Sequence, residues 1–497
     1  MSVSSLTGSA GYVGLLTDLR DQLVERQRQL GTGERSLTYG GLESGRTLSL
    51  ATNARRTEIE AFQATIQFAE VRLNLTDTVI GGIEDSFGEA RGAILSDQFV
   101  TDGGTKTRAQ DQADIMLRDM LGMLNTEADG RYIFSGRSVD VRPVEDPELI
   151  LNGDAGRAGV KTIVNERTEA DRGPLGQGRI TTTPTATALT VAEDGTHPFG
   201  FKLTAITSTI GGAVTAGPSG TPPNVSLNLG LNQPIAGETV QIGLELPDGT
   251  TRDIVLTATD ANPPGANEFF VGATVAGAIG NIEAAVQTAL QDVAATELSA
   301  ASAIRASQDF FAGNTANPPQ RIVGPPFATA TATTAGTPAN TVIWFQGEPT
   351  GDPREAAQAT VDNGLTVNYG TKANEEAFTW ALSHLAAFAT ADFNETLDVD
   401  KDRFQALKSR TATALAYPDG IETIARVRSV VAMAGITMDR TSDRQRDDLL
   451  FLDTVRESVE GIDINQVSAE ILTLQTRLEA SYQTTARIAN LSLVNFL

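Results

Sequence analysis

Ile464-Asn465-Gln466-Val467-Ser468-Ala469-Glu470-Ile471-Leu472-Thr473-Leu474-Gln475-Thr476-Arg477-Leu478 decides how this chain is read. Ile464, Val467, Ile471, Leu474 and Leu478 step by three and four in turn, and Ser481, Thr485 and Ile488 continue the beat. That is the a/d seam of a helix that needs a partner helix. Asp463 stands before it with Gln466 three residues on, the wording of an N-cap akin to a capping box, and Gly461 breaks the helix that precedes it. Docking on the body of its own domain would satisfy such a helix as well as docking on a neighbour.

Working outward, the strongest periodic signal is Ile59, Phe62, Ile66, Ala69, Leu73, Thr76, Ile80, Ile83, Phe87, Ala90 and Ile94, with Thr76 the one polar member. A helix from about Thr47 to Asp97 would be roughly 75 Å long at ~1.5 Å per residue. Its stripe requires a bundle or coiled-coil partner of similar length. Ile424, Val427, Val431, Ala434, Met438, Thr441, Gln445, Asp448, Leu452, Val455, Val459 and Ile462 supply the same rhythm, interrupted by a polar patch at Thr441, Gln445 and Asp448. The patch predicts either a hydrogen-bonded or water-filled layer or a small phase shift in the seam. Leu16, Leu19, Leu23 and Leu30 mark a shorter helix near the start, with Arg26 where the seam expects an apolar residue. Residues 1–14, rich in Ser, Gly and Thr, read as flexible in an isolated chain.

Between the rods, a third helix is expected from about Lys106 to Glu127, then a short strand within Gly130-Arg131-Tyr132-Ile133-Phe134-Ser135-Gly136. From about Arg137 the composition turns to Gly, Pro, Thr and Ala. Val240, Ile242, Leu244 and Leu246 alternate, Pro247-Asp248-Gly249-Thr250 turns, and Ile254 and Leu256 resume, which is a hairpin signal. Val275, Ile279, Ile282, Val286 and Val293 predict a helix covering that sheet, with linkers at about 211–223 and 314–341. Trp344-Phe345-Gln346-Gly347-Glu348 reads as a closing strand or a contact patch. Asn374 is expected to cap a helix buried through Phe378, Leu382 and Leu385, and Phe404, Leu407 and Leu415 belong to the next one. The expected fold is therefore a mainly α trunk, a long antiparallel helical bundle or coiled coil from both chain ends, with an inserted α+β outer domain. Its divisions are 1–45 (N-terminal helix and linker), 46–136 (first trunk half), 137–367 (insert), 368–462 (second trunk half) and 463–497 (C-terminal assembly helix).

The trunk core is expected at Ile59, Phe62, Ile66, Leu73, Ile80, Ile83, Phe87, Ile94, Val431, Leu452, Val455 and Val459. The assembly seam is expected at Leu16, Leu19, Leu23, Leu30, Ile464, Val467, Ile471, Leu474, Leu478 and Ile488. At 497 residues and a net charge of −24 the chain has ample material for several domains and would be repelled by a phosphate backbone. It contains no cysteine and only two histidines, His197 and His384, so thiolate chemistry and a multi-histidine metal site within one chain are excluded. The carboxylates Asp146 and Glu148, Glu193 and Asp194, and Asp398 to Asp402 do not follow a calcium-loop spacing and read as solvated acidic loops. No phosphate-loop or nucleophile-elbow motif occurs. No enzyme, cofactor or metal site is expected, and no stretch is long and apolar enough for membrane insertion. The opening Met1-Ser2-Val3-Ser4-Ser5 lacks the basic n-region of a signal peptide.

Three C-terminal phrases, Gly461-Ile462-Asp463-Ile464-Asn465, Leu472-Thr473-Leu474-Gln475-Thr476-Arg477-Leu478-Glu479-Ala480-Ser481-Tyr482-Gln483 and Leu491-Ser492-Leu493-Val494-Asn495-Phe496-Leu497, resemble the C-terminus of the flagellin superfamily. Within it the ending looks most like the flagellin-like hook-associated proteins of the hook–filament junction, Tyr39-Gly40-Gly41-Leu42 resembles these more than bulk flagellin, and residues 130–136 resemble the phrase that leads into the family's outer domain. The resemblance covers roughly 1–136 and 368–497. It implies a structural component of the bacterial flagellum, a homo-oligomer whose terminal helices order and pair axially on assembly. Its implied partners are a hook-associated protein on the hook side, flagellin on the filament side and an export chaperone, with no nucleic acid. It further implies export by the flagellar secretion system without a cleaved signal peptide, to an extracellular place at the junction. Bulk flagellin is the alternative within the family, and a surface adhesin or ligand-binding module on a helical stalk the alternative outside it.

Overall fold

Steps of three and four put apolar residues on one side of a helix, and the longest such runs become the longest helices. A computed structural model describes residues 4–101 and 103–494. About 53% of it is helical and 16% strand, in long helices and several small sheets. The chain opens with α1 (Ser4–Thr32), passes a 3-10 turn at Tyr39–Gly45, and continues as α2 (Arg46–Ser96) and α3 (Arg108–Met123). The short hairpin β1 (Glu127–Ala128) and β2 (Arg131–Tyr132) leads to α4 (Pro147–Asn152) and α5 (Val160–Arg172). Then come β3 (Ile180–Pro184), β4 (Ala188–Glu193), β5 (Lys202–Ser208), β6 (Val214–Ser219), β7 (Asn224–Asn228), β8 (Thr239–Glu245), β9 (Thr251–Thr259) and β10 (Glu268–Phe270). α6 (Val275–Val293) runs through a π-helical turn into α7 (Ser299–Phe311). The hairpins β11 (Gln320–Ile322) with β12 (Thr333–Ala335) and β13 (Gln358–Asp362) with β14 (Leu365–Asn368) precede α8 (Glu376–Thr390), α9 (Asp398–Ala414), α10 (Ile424–Glu460) and α11 (Ile464–Val494). No helix among the described residues is long and apolar enough to cross a membrane.

The chain divides into two compact units, one of Met1–Glu70, Ala359–Val367 and Ile436–Leu497, the other of Val71–Gln358 and Asn368–Gly435. In the first, α2 and α10 run antiparallel: Glu460 accepts from Ser49 and Asn53 at one level, and Arg56 meets Asp453 at 3.2 Å at the next. Ile59 and Ile66 are fully buried there, whereas Phe62, Leu452, Val455 and Val459 are half-buried. The polar patch on α10 has a specific cause. The β13–β14 hairpin docks on it, Gln445 donating to the Val361 carbonyl at 2.6 Å and Arg444 pairing with Asp362 at 2.5 Å. Thr441 and Gln445 are buried while Asp448 is exposed, so the patch is a hydrogen-bonded layer, as the first of the two sequence readings has it.

In the second unit the stripe continues through Leu73, Ile80, Ile83, Phe87 and Ile94, all buried, and Val431 is buried as well. Two four-stranded sheets, ordered β10-β9-β8-β5 and β3-β4-β7-β6, share one core with α6. The β8–β9 hairpin turns where the sequence says it should, with Gly249 at φ 81° and Asp248 accepting from the Thr250 N–H at 3.1 Å. Buried charges in this unit are paired. Asp171, fully buried, accepts from Arg167 at 2.7 Å and from the Gly200 N–H at 2.8 Å, and Arg321 donates to Glu166 at 2.9 Å.

Several local expectations are corrected. The segments read as linkers carry strands β6, β11 and β12, because pairing with a neighbour satisfies the backbone of Thr-rich sequence that has little to bury. The strand expected within 130–136 is reduced to Arg131–Tyr132, and the third helix stops at Met123. Thr107 begins that helix with a reciprocal capping box to Gln110, whose side chain also bonds the Phe388 and Ala391 carbonyls at 2.8 Å. Helix α8 begins after Glu375, not Asn374. The Glu375 carboxylate takes the Lys372 N–H at 2.8 Å and the Arg354 guanidinium, and burial pushes its pKa up to about 7. Trp344 is buried and donates to the Phe311 carbonyl at 2.9 Å, so it is core and not a contact patch. Residues 4–14, expected to be flexible, lie within α1.

His384 on α8 is 2% exposed. Its Nδ1–H donates to the Trp380 carbonyl at 2.7 Å, leaving Nε2 facing the Gln308 amide at 3.4 Å. Burial depresses its pKa from 6.5 to about 4. The unfolded chain therefore takes the proton first as pH falls, and the stability this residue contributes is full above 6.5 and lost on the way down to 4. Wild type relative to His384→Gln should lose up to about 3 kcal/mol across that window in denaturant titrations. A difference that does not change with pH would show that the ring titrates normally.

Candidate assembly surface

Both ends of the chain meet in the first unit. Helix α1 ends at Thr32 and α11 begins at Ile464, and a single antiparallel bridge between Glu34 and Gly461 fastens them. The Arg35 N–H donates to the Glu460 carbonyl at 2.7 Å and the Ile462 N–H to the Gly33 carbonyl at 3.2 Å. Gly461 is required where α10 ends, since a Cβ there would lie 2.4 Å from the Glu457 carbonyl oxygen that its own N–H meets at 2.8 Å. Asp463 then caps α11, accepting from the Asn465 and Gln466 N–H groups at 2.8 and 3.1 Å. The box is not reciprocal, because the Gln466 amide turns forward to Glu470 at 3.0 Å.

From that fastening α1 and α11 run antiparallel. Arg26, the polar residue at a seam position, meets Glu470 across the seam at 2.9 Å. Val467, Ile471, Leu474 and Leu478 are buried, and Leu16, Leu19 and Leu23 are half-buried. Leu30 and Ile464 differ from expectation, standing 39% and 61% exposed. Their place in the seam is taken by Gln29, which is buried and donates to the Arg35 carbonyl at 2.9 Å. The side chain of Ile488 lies outside the described residues. The backbone bridge and the Arg26–Glu470 pair are what sequence reasoning missed. The signal for the pair was present, a cation in one seam and an acid beside the other.

Two helices packed on each other cover only one face of each. On the other faces Val13, Leu15, Val24, Leu472 and Tyr482 are each at least half exposed, as are Leu450 and Phe451 on α10. Asp362 is kept ionised below the usual carboxylate range by the Asn363 N–H and then by Arg444, while Glu70 is raised by burial and by Asp439 beside it. The linker Tyr39-Gly40-Gly41-Leu42 is folded in, with Leu42 buried and Gly41 so close to Ser36 that a Cβ would lie 2.1 Å from its hydroxyl.

Most of the acidic and histidine candidates elsewhere have structural partners. Asp146 caps α4, Glu193 pairs with Lys202 at 2.8 Å, and Asp194 holds Arg179 and His197 at 2.9 and 2.6 Å. Asp400 meets Arg403 at 3.0 Å. What the first unit presents is therefore an apolar surface on paired terminal helices. Compared with known proteins, the chain matches no family model and no curated protein.

The seam's weight can be measured directly. Leu474→Ala should cost the α1–α11 pair about 2 kcal/mol, the low end for a large-to-small change because the site is shallow. It should accelerate amide exchange in both helices together. Acceleration confined to α11 would show that α1 is held by something else.

Proposed function

We propose that this chain is a non-enzymatic, self-assembling structural protein of the bacterial flagellum, acting at the hook–filament junction and joining hook to filament through its terminal helices. The observation that carries the reading is the α1–α11 pair: the two terminal helices are fastened to one another by the bridge between Glu34 and Gly461, and the pair still exposes a row of large apolar residues. A surface of that kind is characteristic of a binding face rather than of a finished monomer. The C-terminal wording and the Tyr-Gly-Gly-Leu phrase support the family and the junction position within it.

On this reading the mechanism is burial on assembly. Each exposed Leu or Phe covered by a neighbouring copy contributes roughly 1.5–3 kcal/mol, offset in part by the ordering of side chains. The seam also closes within one chain. A neighbour adds the second face. Export without a cleaved signal peptide and an extracellular position follow from the same proposal.

Electron microscopy of labelled protein on intact flagella tests it. Label confined to a band between hook and filament supports the junction role, label along the whole filament makes the chain a bulk flagellin, and label away from flagella overturns the reading. A second measurement isolates the surface. Leu472→Ser, at a 65% exposed site, should leave monomer stability within about 0.5 kcal/mol of wild type yet weaken self-association in sedimentation. Unchanged association would remove α11's outer face from the interface.

A further inference from the structure

Thr76, the polar member of the α2 stripe, borders a cavity of about 250 Å³ in the second unit. Thr76 is buried and its hydroxyl is turned back to the Arg72 carbonyl at 2.8 Å. Arg72, one turn earlier on the same face, lines the cavity, and Arg131 and Tyr132 from β2 and Tyr369 line it too. Neither guanidinium has an ion-pair or hydrogen-bond partner among the described residues, and the Tyr132 hydroxyl has none either.

Several other arginines of the unit are paired. In the same unit Arg118 meets Asp114 and Glu148, Arg167 meets Asp171, Arg179 meets Asp194, and Arg428 meets Asp77, all within 3 Å. Carboxylates are not scarce, with 62 acidic residues to 38 Lys and Arg in the chain. Two cations share one concavity, and no carboxylate is among the residues that line it. A guanidinium offers a planar fork of donors that matches an oxygen-bearing anion, and partial enclosure strengthens such a bond by excluding water.

We propose that this cavity is a binding site for a small oxyanion of the phosphate, sulfate or carboxylate class, held by Arg72 and Arg131 with the Tyr132 hydroxyl as a further donor. Its volume accommodates the ion with its waters or a small organic acid. The site is separate from the terminal-helix surface and does not depend on assembly. It also accounts for the interruption of the α2 stripe: a polar residue at position 76 keeps the floor of the cavity wettable, where an apolar one would close it.

The test uses the full chain in dilute solution, titrated with inorganic phosphate at constant ionic strength and followed by phosphorus NMR line width, with chloride as the control ion. Saturable broadening by wild type is expected. Arg131→Gln should weaken it about tenfold, the scale of one charge-assisted hydrogen bond, with Arg131→Lys in between because it keeps the charge and loses the fork. Arg131 is exposed at the rim, so its replacement leaves the fold intact by circular dichroism, and it decides the question even if Arg72→Gln fails to fold. Broadening that does not saturate, or that is equal in wild type and Arg131→Gln, overturns the proposal.

Discussion

The apolar stripe of α2 is the constraint from which the architecture follows. A helix of 51 residues cannot cover Ile59, Ile66, Leu73, Ile80, Ile83, Phe87 and Ile94 with its own turns, and leaving them in water would cost about 10–20 kcal/mol, as much as a domain's whole net stability. The chain answers in each unit with elements far away in sequence. In the first, α10 returns alongside, pinned by Arg56 to Asp453 and by Ser49 to Glu460. In the second, Arg428 of α10 holds Asp77 at 2.8 Å and Tyr417 stacks near Phe87 with ring centroids 5.4 Å apart.

Polar residues at stripe positions mark where something other than an apolar side chain is required. Arg26 reaches Glu470 across the α1–α11 seam. Gln445 receives the β13–β14 hairpin through the Val361 carbonyl. Thr76 borders the cavity of Arg72 and Arg131. An exposed ion pair such as the first contributes little stability, about 0–1 kcal/mol, but it sets register, since a one-residue slip of either helix would separate the charges. The interruptions are therefore the most informative letters in otherwise repetitive helices.

The proposed role as a flagellar building piece rests on the paired terminal helices and the apolar residues they leave uncovered. It asks nothing catalytic of the second unit, several of whose acidic residues hold loops and helix ends. His197, for example, lies between Asp194 and Arg179, and its Nδ1 accepts from the Phe199 N–H at 3.3 Å, which fixes a turn. The oxyanion cavity is an addition to that picture, not a support for it.

The sequence by itself determined the helices and their inward faces. The 46–96 and 424–460 helices, the β8–β9 hairpin, the α6 face through Ile279, Ile282 and Val286, and the seam at Val467, Ile471, Leu474 and Leu478 follow from local periodicity, and a periodic pattern is a property of neighbouring letters. The apolar contact surface was legible in part, through its seam. Tertiary structure alone decided which strands pair in the Thr- and Gly-rich middle, that Glu375 and not Asn374 precedes α8, that Leu30 and Ile464 face outward, and that Arg72 and Arg131 share a cavity. Those outcomes depend on which of several groups, some near in sequence and some hundreds of residues away, wins each hydrogen bond and each buried space, and local periodicity does not encode that competition.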